Sequence, residues 1–229
     1  MSSFIHLFTL LLSLVNEIHS SPARQETSNS HTGQGTYWGG NWAGGNCGFS
    51  TWPQPSNYPE IAISGSLWEN GAYCGACLKV KGPGGRAKVG IVGDQCPDCP
   101  PDGLDMDPAM WSAVTGNASP GKIQITWEVV SCGMSTPIKL INKVGVSAHW
   151  FSMQVAGSNN PVKSLEISTD QGQTWQPTKR QASSNFFQPD KPAQGPSGDI
   201  RVTCSNGKTI ITKNVAFTSS GSQNGSGNC

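Results

Sequence analysis

Val92-Gly-Asp-Gln-Cys-Pro-Asp-Cys99, followed by Gly103-Leu-Asp-Met-Asp-Pro-Ala-Met-Trp111, is the stretch on which the reading of this chain turns. It sets two acids, Asp94 and Asp105, on either side of a CxxC pair. Asp107 directly before Pro108 has the form of a helix N-cap with proline at the first position, which predicts one short helix over residues 108–114. Asp102 and Asp107 therefore have turn and capping work to do. For Asp105, flanked by Leu104, the case for turn or capping work is weaker. Upstream, Ala87-Lys-Val-Gly-Ile-Val92 is a strand candidate. Downstream, Lys122-Ile-Gln-Ile-Thr-Trp-Glu-Val-Val130 alternates Ile123, Ile125, Trp127 and Val129 inward against polar partners, as a half-buried strand does.

Further out, the 229 residues carry a net charge of +1, 13% charged side chains and 44 glycines and prolines. That composition predicts a β-rich chain with many turns. The near-neutral balance argues against nucleic acid or an acidic membrane surface as partner and fits an uncharged one. Leu7 to Val15 is a short apolar run before Ser20, Ser21 and Ala23, the pattern of a secretory signal peptide over residues 1–20. It is too short to span a bilayer. Cys74-Gly-Ala-Cys77 and Cys96-Pro-Asp-Cys99 have a zinc-ribbon spacing, with 18 residues between the pairs. Secretion and an even total of eight cysteines favour disulfides over metal. No motif implies a cofactor.

The chain parses into five segments: the signal peptide, a polar disordered stretch over 21–33, a first domain over 34–133, a second over 134–218 and a Ser/Gly-rich tail over 219–229. In the second domain Trp150-Phe-Ser-Met-Gln-Val155 alternates. Phe151, Met153 and Val155 face the core, and Trp150, Ser152 and Gln154 face away from it. Leu165-Glu-Ile167 and Ile200-Arg-Val202 continue the strand pattern, and Ser205-Asn-Gly-Lys208 is a hairpin turn before Thr209-Ile-Ile-Thr212. Short strands spaced this way predict an antiparallel sandwich.

Thr36-Tyr37-Trp38, Cys74-Gly-Ala-Cys77, Asp94 and Leu104-Asp105, with the second domain behind them, resemble the expansin family over nearly all of the chain past the signal peptide. The first domain also resembles family 45 endoglucanases. The resemblance implies an all-β protein of two domains, a six-stranded double-psi β-barrel followed by an immunoglobulin-like β-sandwich that binds carbohydrate. It implies disulfides Cys47–Cys74, Cys77–Cys132 and Cys96–Cys99, which leaves Cys204 with Cys229. Asp105 matches the residue corresponding to the hydrolases' general acid, and Asp94 and Thr36 match polar residues lining the same groove. Where those hydrolases carry a Tyr-Trp-Asp run that supplies the base, Tyr37-Trp38 is followed here by Gly39. Where many microbial members have a tyrosine, this chain has Cys96.

Inverting hydrolysis requires both an acid and a base, so Gly39 predicts loosening of a polysaccharide rather than cleavage. Asp94, Asp98 and Glu60 are the acids that could stand in for the base, and a lytic transglycosylase would need none. Trp38 and Tyr37 are candidates for the groove. The binding modules of the family use three aromatics in a row; Trp150 matches one, Phe186 a second, and His149 stands in the third place. An exposed indole can lie against a sugar ring with its N–H free. The expectation is a secreted, monomeric, extracellular protein of the cell wall whose partner is a polysaccharide: cellulose, xyloglucan, chitin or peptidoglycan. A pure binding role, with Asp105 merely structural, is the third alternative.

Overall fold

A computed structural model describes residues 30–229; the signal-peptide expectation lies outside them. Six strands close a barrel in the order β1-β5-β2-β4-β3-β6. They are β1 (His31–Tyr37), β2 (Glu60–Ser64), β3 (Cys77–Lys81), β4 (Ala87–Cys96), β5 (Leu104–Met106) and β6 (Lys122–Val130). β1 runs parallel to β5 and β2 parallel to β4, while the remaining pairs are antiparallel. Closure removes every free edge, so each strand alternates between the barrel interior and the outside. Ile61, Ile63, Leu78, Val80, Ile91, Leu104 and Met106 are fully buried inside.

Two glycines stand where a neighbour comes too close for a side chain. A Cβ on Gly33 would stand 1.9 Å from the Asp102 carbonyl oxygen, and one on Gly93 would stand 2.5 Å from the Glu60 carboxyl. The helix α1 (Pro108–Thr115) begins where the sequence predicts. Asp107 caps it by accepting from the Met110 amide at 2.7 Å, and Gly116 ends it in the left-handed conformation. Of the four residues expected inward on β6, Val129 is instead 38% exposed: still paired with Leu78 on β3, it lines a cleft shared with Tyr73, Pro161 and Arg180.

The second sheet has eight strands in the order β13-β12-β9-β10-β11-β8-β7-β14. These are β7 (Lys139–Asn142), β8 (Met153–Ala156), β9 (Val162–Ser168), β10 (Gln176–Arg180), β11 (Phe186–Pro189), β12 (Ser197–Cys204), β13 (Thr209–Ala216) and β14 (Ser222–Asn224). One apolar cluster contains Leu140 and Val155 from one end of this ladder and Val202, Ile210 and Val215 from the other. The sheet is therefore folded over on itself at β10 into a sandwich.

Three sequence expectations are corrected. Residues 31–33, placed in a disordered stretch, open β1, where the His31 ring stacks on Trp127 at 3.9 Å and bonds Asp102 at 2.7 Å. Residues 219–229 are no loose tail: β14 pairs with β7, and Cys229 closes a disulfide with Cys204. Without β14, β7 would leave an open edge. Ser152 and Gln154 are fully buried, although alternation turns them from the sandwich core. Their face is covered: Gln188 donates to Ser152, and the Gln154 amide donates to the carbonyls of Cys47 at 2.8 Å and Gly48 at 3.3 Å in the first domain. Trp68 donating to Ala182 and Arg180 donating to Gly71 tie the domains at a second place. The remaining disulfides are Cys47–Cys74, Cys77–Cys132 and Cys96–Cys99, the pairing the resemblance implies.

Candidate functional site

Strand register assembles the site. Thr36 on β1 pairs with Asp105 on β5, Asp105 pairs with Ala62 on β2, and Ala62 pairs with Asp94 on β4. Paired residues share a face, so these four side chains form a row across adjacent strands. Two strand spacings separate the backbones of Asp94 and Asp105, about 9.6 Å. The small side chain between them, Ala62, leaves a trough with a carboxyl on each side. Lys122 on β6, the cross-strand partner of Thr36, ends the row with a cation.

The two acids differ in what holds them. Asp105 is half-buried, and the Thr36 hydroxyl donates to its Oδ1 at 2.5 Å. Burial raises its pKa above the ordinary carboxylate value, while hydrogen bonds from Thr36 and the Met106 amide pull the other way. A raised pKa is the direction a general acid needs, because it favours the protonated form that donates. Asp94 accepts through Oδ1 from the amides of Asn46 and Gln95, both at 2.7 Å. Those bonds engage one of its oxygens in anchoring the loop at Asn46, a positioning task.

Gly39 is exposed, and a Cβ there would meet nothing within 4 Å. No side chain from that position projects into the trough. Of the acids that could stand in for a base, Glu60 is 2% exposed. Its Oε2 accepts from the Asn41 amide at 2.8 Å and its Oε1 has no partner. Burial, with Asp94 and Asp107 adding, raises it to about 7. It lies under Gly40 and Gly93, sealed from the surface by the loop it supports. Asp98 is exposed in the CxxC turn. Asp107 is fully engaged, accepting from Met110 with one oxygen and from Glu60 N with the other.

The aromatic candidates divide. Trp38 is half-buried, its amide donates to Met106 O at 3.1 Å, and its indole Nε1 lacks a partner among the described residues. Tyr37 does not join Asp105. Adjacent residues of a strand point to opposite faces, and its ring meets Trp111 of α1 edge-on at 6.0 Å. Trp150 is 39% exposed and His149 beside it is exposed. Their exposure comes from a tight turn, closed by reciprocal bonds between Ser147 and Trp150, and not from strand alternation, because β8 starts only at Met153. Phe186 is no open platform: at 9% exposure it is covered by Lys143, whose Nζ lies 5.4 Å from the ring centroid. The reason is again the second face of the sheet, since Phe186 pairs with the buried Gln154.

Sequence reasoning passed over one neighbour of Asp105. The Sγ atoms of Cys96 and Cys99 and a carboxylate oxygen of Asp105 lie within 4.8 Å of one another. Joined in a disulfide, the two sulfurs offer no thiolate to a metal. The available signal was period two: Cys96 shares the face of Asp94 on β4.

Fold and site together define a class: a two-domain β-protein in which a closed barrel bears a carboxyl trough and a sandwich with an exposed tryptophan packs beside it. No family model matches the chain. It is 31% identical to expansin-like protein 5 of Dictyostelium discoideum over 62% of the chain and 63% of that protein. It is 33% identical to expansin YoaJ of Bacillus subtilis over 61% of the chain and 60% of that protein. The match thus spans less than two thirds of these relatives. The crystal structure of the Clavibacter michiganensis expansin superposes with a TM-score of 0.75 at 26% identity, covering 87% of this chain and 97% of that one. A point mutant of that expansin was solved in complex with cellohexaose and superposes with a TM-score of 0.76 at 25% identity. In sequence and in fold, the proteins this chain is similar to are expansins.

Proposed function

We propose that this chain binds a cell-wall glucan of the cellulose type and loosens it without hydrolysis. The observation that carries the reading is the asymmetry of the trough. Asp105 is a half-buried carboxyl with a raised pKa on one side, and Gly39 offers nothing where related hydrolases carry a base. The cellohexaose held by the Clavibacter relative supports a β-glucan as ligand. Trp38 and Thr36 would meet the chain at the barrel, and Trp150 and His149 would anchor it on the sandwich. Asp105 would compete for the hydrogen bonds that glucan chains make with one another. Secretion to the wall and action as a monomer belong to the same proposal. Four disulfides fit an oxidising compartment, and no described helix is long and apolar enough to cross a membrane.

The experiment is reducing-end release from swollen cellulose, xyloglucan, chitin and peptidoglycan, run beside wall extension under load, for the native chain and Asp105→Asn. The reading expects binding and extension without release, and loss of extension in the variant. Release that disappears in Asp105→Asn would make the protein an endoglucanase or a lytic transglycosylase. Unchanged extension in the variant would reduce Asp105 to a structural role and leave a binding protein.

A further inference from the structure

The Cys96–Cys99 disulfide is placed unlike the other three. Cys47, Cys74, Cys77 and Cys132 are 7% exposed or less, and Cys204 is fully buried. Cys96 and Cys99 are both half-buried at the mouth of the barrel. The bridge closes a short turn from the end of β4 back towards β5 and stands within 4.8 Å of the Asp105 carboxylate. Cys96 pairs with Ser64 on β2, one pleat beyond the Asp94–Ala62 pair, so the sulfurs wall one end of the trough.

We propose that the Cys96–Cys99 disulfide is a removable wall of the Asp105 site: closed, it limits the water that reaches the carboxyl, and opened by a small dithiol reductant it admits more. The inference rests on the reading of the trough as the working groove and makes the bridge a positioning element acting through Asp105. Cleavage transfers two electrons and two protons from the dithiol. The S–S bond breaks, Cys96 and Cys99 become thiols, and the reductant closes its own disulfide.

The groups that face Asp105 support a role for water access. β1 brings the Thr36 hydroxyl, with Lys122 of β6 one strand further; β2 brings Ala62; β4 brings Asp94 and, with its turn, the bridge, while Asp98 in that turn is exposed. α1 brings Asp107, whose oxygens are turned to Met110 and Glu60 N. None of these charges is among the causes of the raised Asp105 pKa, and burial is the largest of them. An apolar bridge beside the carboxyl contributes to that burial, so its removal lowers the pKa towards the ordinary value.

The test is the titration of Asp105 followed by carboxyl NMR, assigned with Asp105→Asn, in three samples. These are the native protein, the native protein after limited dithiol treatment with thiols mapped by alkylation, and the Cys96→Ala/Cys99→Ala pair. Alanine is chosen because serine would add a hydrogen bond of its own. The inference expects first thiols at Cys96 and Cys99, a titration moved to lower pH in both altered samples, and no further movement when the alanine pair is treated with dithiol. An unchanged titration in the mapped, reduced protein overturns it, as does first cleavage at another bridge. The reduced sample decides the matter if the alanine pair does not fold. Cellohexaose binding by calorimetry at one pH separates the two readings. If no form binds, the glucan function fails while the titration still decides the wall.

Discussion

Thr36 donates to Asp105 across the parallel β1–β5 pair, and that bond opposes the effect of burial on the carboxyl. Removing it with Thr36→Val should raise the Asp105 pKa further, seen as a titration moved to higher pH by carboxyl NMR; movement to lower pH would show that the hydroxyl serves the protonated form. Glu60 has a raised pKa with consequences for stability. Its ordinary value is 4.5 and its folded value about 7, with burial the chief cause. Between those values the unfolded chain has released a proton that the folded chain still holds. Stability from this group is therefore fully present below pH 4.5 and falls as pH rises through 7. The loss is on the order of 3 kcal/mol. Glu60→Gln should flatten that dependence, checked by urea unfolding at pH 5 and pH 7.5; an unchanged slope would assign it to another group. Both acids were readable as acids in the sequence. Their environments were not, because Asn41, Thr36 and the burying strands come from distant parts of the chain.

At the scale of elements, α1 was legible because its signals are local: Asp107 caps, Pro108 opens and Gly116 closes. The cap also does non-local work, since its second oxygen accepts from the buried Glu60 amide on β2. Asp107→Ala should therefore cost more than an ordinary cap, roughly 2–4 kcal/mol in urea unfolding, by adding an unsatisfied buried donor to the lost cap. A loss near 1 kcal/mol would mean that water reaches the Glu60 amide. Strand β6 was visible through alternation, whereas β14 was not. Ser222–Asn224 has neither apolar period nor β-branched residues, and it is a strand only because β7 presents an unpaired edge. The turn holding Trp150 was mistaken for strand for a related reason: apolar alternation continues through residues that tertiary contacts bend out of the sheet.

Across the whole molecule, the second domain is clamped to its own end by Cys204–Cys229, with a sequence separation of 25. Replacing both cysteines by alanine should cost roughly 3–4 kcal/mol by chain entropy. β14 should also become open to hydrogen exchange, and β14 amides that stay protected would show that its pairing with β7 needs no covalent anchor. The domains meet through Gln154, Trp68 and Arg180, all donating to backbone carbonyls or held against them across the junction. That contact buries the outer face of β8 at Gln154, and Lys143 covers Phe186, its partner on β11, although each points away from the sandwich core.

The sequence by itself determined the β-rich class, the two domains and the capped helix, because each is written in local period, capping chemistry or a short motif. Only the tertiary structure decided that Tyr37 leaves the trough, that Phe186 is covered, that Glu60 is sealed beneath Asn41 and that the Cys96–Cys99 sulfurs lie beside Asp105. Each of those outcomes depends on which distant surface meets a residue's second face. Alternation along a strand tells the two faces apart, but it carries no information about what will be packed against either one.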